Sequence, residues 1–372
     1  MLKRRKNSLL IASLGLGLVL CGCAQSQGVA ALSSSTMRTD PVPFLNGEVF
    51  GRTNNGLRII GTTELTERSY RVFLASEAVS ADAFSTSNSI TVTLPHGYDA
   101  STRYPVIYLL NGSGADGDAT QWLNRGNVET VLGDAQAIAV MPDGGQGGWY
   151  TNWVSAPDGT RDFSRLHLEE LIPWVDGHLP TLATRGSRAI GGVSMGGYGA
   201  IHYAQLRPDL FAEAFSMSGI LDFRESSTRE LVDQQAKDSG APAGAVFGDP
   251  EPKATNPWSK NDPMAQVDAL ANLKIYLVAG TGTPAENPDP SDPQGLEFLI
   301  RSSTETFAAE LTEQGITHEL TIFEKNGVGC DGGHNWGCWT PLAAELVPRI
   351  ISGLDSPRQS VATHTATTAT IK

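Results

Sequence analysis

The chain has 372 residues, 40% hydrophobic and 18% charged, which is enough to bury a substantial core. A formal net charge of −13 and a pI near 5.0 exclude a general nucleic-acid binder, and no basic run occurs beyond the first six positions.

The chain begins with Lys3, Arg4, Arg5 and Lys6 ahead of an apolar stretch over 9–20. This is the layout of an export signal, too short for an ordinary membrane-spanning helix. The stretch runs into Leu20-Cys21-Gly22-Cys23, which resembles a bacterial lipobox. The expectation is a signal over 1–22 and lipidation at Cys23. The protein would then be exported to the cell envelope and associate with the membrane through that anchor, with plain secretion as the alternative. Residues 23–45 are small, polar and punctuated by proline, as a tether is. No repeat or second linker follows, so one domain is expected over 46–353, then a Thr/Ala-rich tail over 354–372 with little to bury.

Within the domain, 69–75 and 89–94 alternate as half-buried strands do. By contrast, 104–110, 137–142, 187–193, 211–217 and 273–279 are short continuous apolar runs, the reading of strands covered on both faces. Helical runs lie between several of them, over 164–179, 196–206 and 296–311. In the last, Leu296, Leu299, Ile300, Phe307 and Leu311 share one face. The order predicts an α/β fold, a mostly parallel central sheet with helices on both faces, and ligands beyond the strand C-termini. Residues 223–268 interrupt the alternation with a charged helix-like piece and a Pro/Gly-rich stretch. A cap beside the site and a plain surface excursion explain this segment equally well.

Gly192-Val193-Ser194-Met195-Gly196 is G-x-S-x-G between a strand run and a helix run, the context that a nucleophile elbow requires in an α/β-hydrolase fold. Ser194 is therefore the candidate nucleophile. In that fold the histidine comes last in chain order. His202 and His318 fall in a helix and at a strand start, and His364 falls in the tail. His334 occupies a loop between the strand run "HELTIF" and a final helix from about 340, so it is the candidate base. For the acid, Glu286, Asp289, Asp292 and Glu297 all follow the strand run 273–279, and hydrolase topology leans toward the loop carboxylates. The amides of Met195 and Ser113, the latter in the turn Asn111-Gly112-Ser113-Gly114, are the candidate oxyanion donors. Cys330 and Cys338 flank His334, and a close pair in an exported protein predicts a disulfide. Zinc, with His334 and Asp331, is the rival, but no second Cys/His pair completes a site. The expected chemistry involves no metal and no cofactor.

From about 95 to 350 the chain resembles the serine esterase family that includes the antigen 85-type mycolyltransferases. The resemblance rests on "YPVIYLLNG", "VMPDGGQGGWYTNW", "GGVSMGGYGAIHYAQLRPDLFAEAFSMSGILD", "WSKNDPMAQVDAL", "LEFLIRS" and "HNWGCW", all in the same order. It implies Ser194 as nucleophile, His334 as base and Glu297 as acid, which moves the acid from the loop into "LEFLIRS". It also implies a lipid ester as acyl donor and a sugar such as trehalose as possible acceptor, with Asn111 and Trp336 at substrate-binding positions. Trp336 is retained. Asn111 and Gly114 stand where the family carries an aspartate and an arginine that help hold trehalose, and Gly147 replaces a hydroxyl residue. The expectation is a serine esterase or acyltransferase transferring to a sugar hydroxyl or to water. A non-catalytic surface-binding protein on a hydrolase scaffold is the alternative.

Overall fold

The computed structural model describes residues 42–45, 53–54, 56–80, 88–114, 117–157, 159–224, 226–249, 256–285, 288–326 and 329–359. The expectations for the signal, Cys23, most of the tether and the tail from 360 onward lie outside these residues.

Four strands, β1 (Thr53–Asn54), β2 (Leu57–Glu64), β3 (Ser69–Ala75) and β4 (Asn88–Thr93), pair antiparallel in sequence order. The two-residue β5 (Thr102–Arg103) stands apart. Six strands then run parallel: β6 (Val106–Leu110), β7 (Ile138–Pro142), β8 (Arg188–Val193), β9 (Glu213–Met217), β10 (Lys274–Gly280) and β11 (His318–Phe323). The ten-stranded sheet has the order β1-β2-β3-β4-β7-β6-β8-β9-β10-β11, and β12 (Arg358–Gln359) pairs with β5 in a separate ribbon.

The helices are α1 (Gln121–Asn124), α2 (Val128–Leu132), α3 (Ile172–His178), α4 (Met195–Leu206), α5 (Ser226–Asp238), α6 (Pro257–Asn261), α7 (Pro293–Glu313) and α8 (Trp336–Gly353). Successive residues of the parallel strands point to opposite faces, so each strand feeds two cores. Val106, Tyr108 and Leu110 of β6 pack with residues of α3, α4 and α7, whereas Ile107 and Leu109 pack with residues of α1, α2 and α8. This two-sided burial is why these strands read as unbroken apolar runs, and it confirms helices on both faces of a mostly parallel sheet.

The structure departs from the sequence reading in several places, the expected tail among them: Leu354 is buried in the core and Arg358–Gln359 pair with β5. β2 was not expected, because a register shift between Ile59 and Gly61 breaks its alternation. The run 164–179 is a π-helical stretch, Arg165–Leu171, leading into α3, where Pro173 has no N–H to offer. α8 begins at Trp336 rather than near 340, with Pro341 inside it instead of at its start. The segment 223–268 contains α5, α6 and a 3-10 helix, Pro263–Leu270. Phe223, Phe247 and Trp258 anchor it, packing on one another, with Phe223 also stacked on Tyr198.

β6 lies between β7 and β8. The chain leaves β6 toward α1 and α2 on one face and leaves β8 into α4 on the other, so a crevice opens at the carboxyl ends of this pair. The pairing of Leu110 with Gly192 sets the turn after β6 beside the turn after β8.

Candidate active site

Ser194 joins β8 to α4 with φ 55° and ψ −123°, a conformation that L-residues seldom adopt. Its amide donates to the Met217 carbonyl at 2.8 Å, and its own carbonyl accepts from the Gly197 amide at 2.8 Å. Glycine is required on both sides of the turn. A Cβ at Gly192 would lie 2.5 Å from the Gly196 backbone, and one at Gly196 would lie 2.3 Å from the Leu110 carbonyl oxygen. The motif thus holds the hydroxyl at the carboxyl end of the central strand β8, at the start of α4.

The loops after the next strands complete a line of hydrogen bonds. His334 Nε2 lies 2.8 Å from Ser194 Oγ, and His334 Nδ1 lies 2.7 Å from Glu297 Oε2. The other carboxylate oxygen of Glu297 accepts from Ser218 Oγ at 2.7 Å and from the Gly280 amide at 2.5 Å. Trp339 Nε1 donates to Ser218 Oγ at 2.9 Å and presents its ring edge-on to the imidazole at 4.7 Å between centroids. Glu297 is fully buried in the first turns of α7. A carboxylate that accepts at Oε2 assigns the ring proton to Nδ1, which leaves Nε2 free to take a proton from the serine. The His334 loop is fixed from outside by its amide, which donates to the Pro293 carbonyl at 3.1 Å, and by a disulfide between Cys330 and Cys338. With both sulfurs bonded, neither thiolate remains for zinc. Asp331 organises the same loop: a hydrogen bond from the Gly333 amide, seconded by Asn335, holds its carboxyl below the usual range.

The loop carboxylates have other work. Asp292 caps α7 by accepting from the Gly295 amide at 2.9 Å, and Asp289 accepts from Ser291. Glu286 lies outside the described residues. His202 is buried in α4 against Tyr198, and His318 sits at the start of β11.

Ser194, His334, Ser113, Met195 and Trp336 all line one cleft of about 490 Å³. The amides of Ser113 and Met195 donate to no other described residue, as oxyanion donors should. The turn that carries Ser113 is braced by two glutamines. Gln121 Oε1 accepts from the Gly112 amide at 2.8 Å, and Gln235 Nε2 of α5 donates to Ser113 Oγ at 3.0 Å. Asn111 does not line the cleft, which corrects its reading as a substrate contact. It is buried, its Oδ1 accepts from the Gly144 amide and Tyr150 OH, and its Nδ2 donates to the Gly112 carbonyl. Gly147 packs beneath α5, where a Cβ would crowd Gln235 and Ser239. Leu231 and Gln235 make α5 a wall of the cleft, which decides the segment 223–268 in favour of a cap. Sequence reasoning missed Ser218, Gln121 and Gln235. Only the position of Ser218 directly after a strand run offered a signal.

A family model described as "Putative esterase" matches residues 81–350. The chain is 34% identical over 282 residues to esterase Rv1288 of Mycobacterium tuberculosis, covering 72% of this chain and 58% of that one. The chain therefore spans little more than half the length of that relative. It is 31% identical over 252 residues to the diacylglycerol acyltransferase/mycolyltransferase Ag85B of Mycolicibacterium smegmatis, covering 66% of this chain and 75% of that one. Among solved structures, MPT51 of Mycobacterium tuberculosis shares the fold with a TM-score of 0.58 at 23% identity, over 75% of this chain and 97% of that one.

Proposed function

The chain belongs to this esterase family, of the antigen 85 type, and from that membership we propose that it is a serine ester hydrolase or acyltransferase working through an acyl-enzyme. The observation that carries the proposal is the unbroken hydrogen-bonded line Ser194–His334–Glu297 at the mouth of a cleft. In the first half-reaction His334 Nε2 takes the Ser194 proton as Oγ bonds to the ester carbonyl carbon. The developing oxyanion is held by the amides of Ser113 and Met195. Collapse breaks the bond to the alcohol oxygen, which leaves with the proton carried by His334. Glu297 holds the imidazole in the tautomer this transfer needs and stabilises the imidazolium. An incoming hydroxyl, from water or a sugar, reverses the sequence and frees the serine.

The preferred donor in this reading is a lipid-type ester, because apolar side chains of α5 and α7 line the cleft beside Ser194. Trehalose is one candidate acceptor and water the other. Gly114 brings no side chain that could hold a sugar, which favours water. Export and anchoring through Cys23 would place the enzyme at the cell envelope. The test is mass spectrometry of the protein mixed with long-chain esters, with and without trehalose. An acyl adduct on the peptide containing Ser194 is expected, and the product, free acid or acyl-trehalose, identifies the acceptor. Ester turnover undiminished in Ser194→Ala would overturn the proposal.

A further inference from the structure

α5 meets the cleft at two points. Leu231 and Gln235 are four positions apart on this helix, so they share one of its faces a turn from each other. Both line the cleft around Ser194. Leu231, with Ile220, Leu296 and Ile300, also lines a second cavity of about 250 Å³ between α5 and α7. An acyl chain that leaves the cleft on this side packs against Leu231.

Gln235 connects the same helix face to the turn after β6. Its Nε2 donates to Ser113 Oγ at 3.0 Å, and its buried Oε1 has no partner among the described residues. That bond ties α5 to the residue whose amide serves the oxyanion in the hydrolase reading. The helix has a thin apolar hold of its own. Among its described residues only Val232 and Ala236 are buried apolar side chains, while Arg229, Glu230, Asp233, Lys237 and Asp238 are charged. A helix is held mainly by the packing of its apolar face, so whatever fills the space beside Leu231 adds to the placement of α5.

Building on the hydrolase reading, we propose that Gln235 is a positioning residue that couples the acyl chain to the oxyanion site. A chain lying along Leu231 fixes α5, and α5 through Gln235 fixes Ser113 with its amide set for the carbonyl oxygen. Binding energy gained away from the ester bond is then realised in the transition state. Lengthening the acyl chain therefore raises kcat and does not merely lower KM.

The test measures kcat and KM for 4-nitrophenyl acetate, butanoate and octanoate, which share the leaving group and differ in acyl length. In the unmodified enzyme kcat for the octanoate should exceed that for the acetate by about five- to tenfold, the worth of one hydrogen bond. Gln235→Leu, which removes the donor, should bring this ratio near unity with little change in KM for the octanoate. Ser113→Ala, which removes the acceptor, should do the same and carries the test should Gln235→Leu fail to fold. The double variant should lose no more than either single one. Leu231→Ala should also lower the ratio, but with a raised KM for the octanoate. A kcat that Gln235→Leu and Ser113→Ala lower equally on all three esters would mark a purely structural contact and overturn the inference. Equal kcat for the three esters in the unmodified enzyme would overturn it as well, and both results leave the hydrolase intact. Absence of Ser194-dependent turnover of every ester would instead overturn the hydrolase reading, and this inference with it.

Discussion

Glu297 shows what a single residue's surroundings decide. Four carboxylates follow β10, and chain position alone points to the loop. Family resemblance selects Glu297, and the structure gives the physical reason: it is the carboxylate with one oxygen on His334 and the other held by Ser218 and Gly280. Glu297→Gln would place an amide where donors already converge and lose the imidazolium partner, so kcat should fall roughly 10³–10⁴-fold. Asp289→Asn and Asp292→Asn should change it little, since asparagine serves turns and caps nearly as well. Steady-state kinetics on the three variants checks this, and a larger loss at either aspartate would relocate the acid. Gln121 makes the complementary case. Nothing in the local sequence marks it, because its partner, the Gly112 amide, is brought to it only by the fold. Gln121→Leu should lower kcat about tenfold with little change in KM, by releasing the turn that presents the Ser113 amide. An unchanged kcat would remove Gln121 from that role. Ser194 and His334 were legible because their signals are local or ordered along the chain.

At the scale of elements, the parallel strands and the helices between them were legible, since burial on both faces leaves an apolar signature. The cap was not. α5 earns its place through Gln235, whose partner Ser113 lies 122 positions away, and no local pattern encodes such a contact. The loop from Cys330 to Cys338 lies between these cases. Its cysteines announced a disulfide, but not the anchoring of His334 to Pro293 at the start of α7. A bridge closing so short a loop stabilises the fold by about 2–3 kcal/mol in the chain-entropy model. Its larger effect should be on rate, because small displacements of a base are costly. In the double variant Cys330→Ser/Cys338→Ser, kcat should drop several-fold at temperatures well below the unfolding transition. A variant that melts earlier yet turns over at the original rate would leave the bridge a purely structural role.

Across the whole molecule, buried titratable groups set how stability follows pH. Burial lowers His167 to about 3 and His202 to about 4. Each is harder to protonate folded than unfolded, so its stabilisation is complete above about 6.5 and is lost as pH falls through those values. Asp143 runs the other way. Burial first, and Asp118 in lesser measure, push it up to about 7, against the Gly145 amide and Arg71. Its contribution is complete below the ordinary carboxyl range and is lost as pH rises to 7. Two histidines outweigh one carboxyl, so denaturant unfolding should show stability rising from pH 4 to 6.5. His202→Phe, which keeps the stacking on Tyr198, should flatten that rise by on the order of 3 kcal/mol. Asp143→Asn should steepen it. Identical pH profiles for all three proteins would contradict these assignments.

The fold, the cleft and the residues around it converge on one hydroxyl, and a fluorophosphonate probe interrogates that hydroxyl in a single experiment. Peptide mapping of the labelled protein should find the phosphonyl group on Ser194, with labelling blocked by a competing ester, abolished in Ser194→Ala and strongly slowed in His334→Ala. Label that is absent from the unmodified protein, or that persists in Ser194→Ala at the original rate, would contradict Ser194 as the nucleophile.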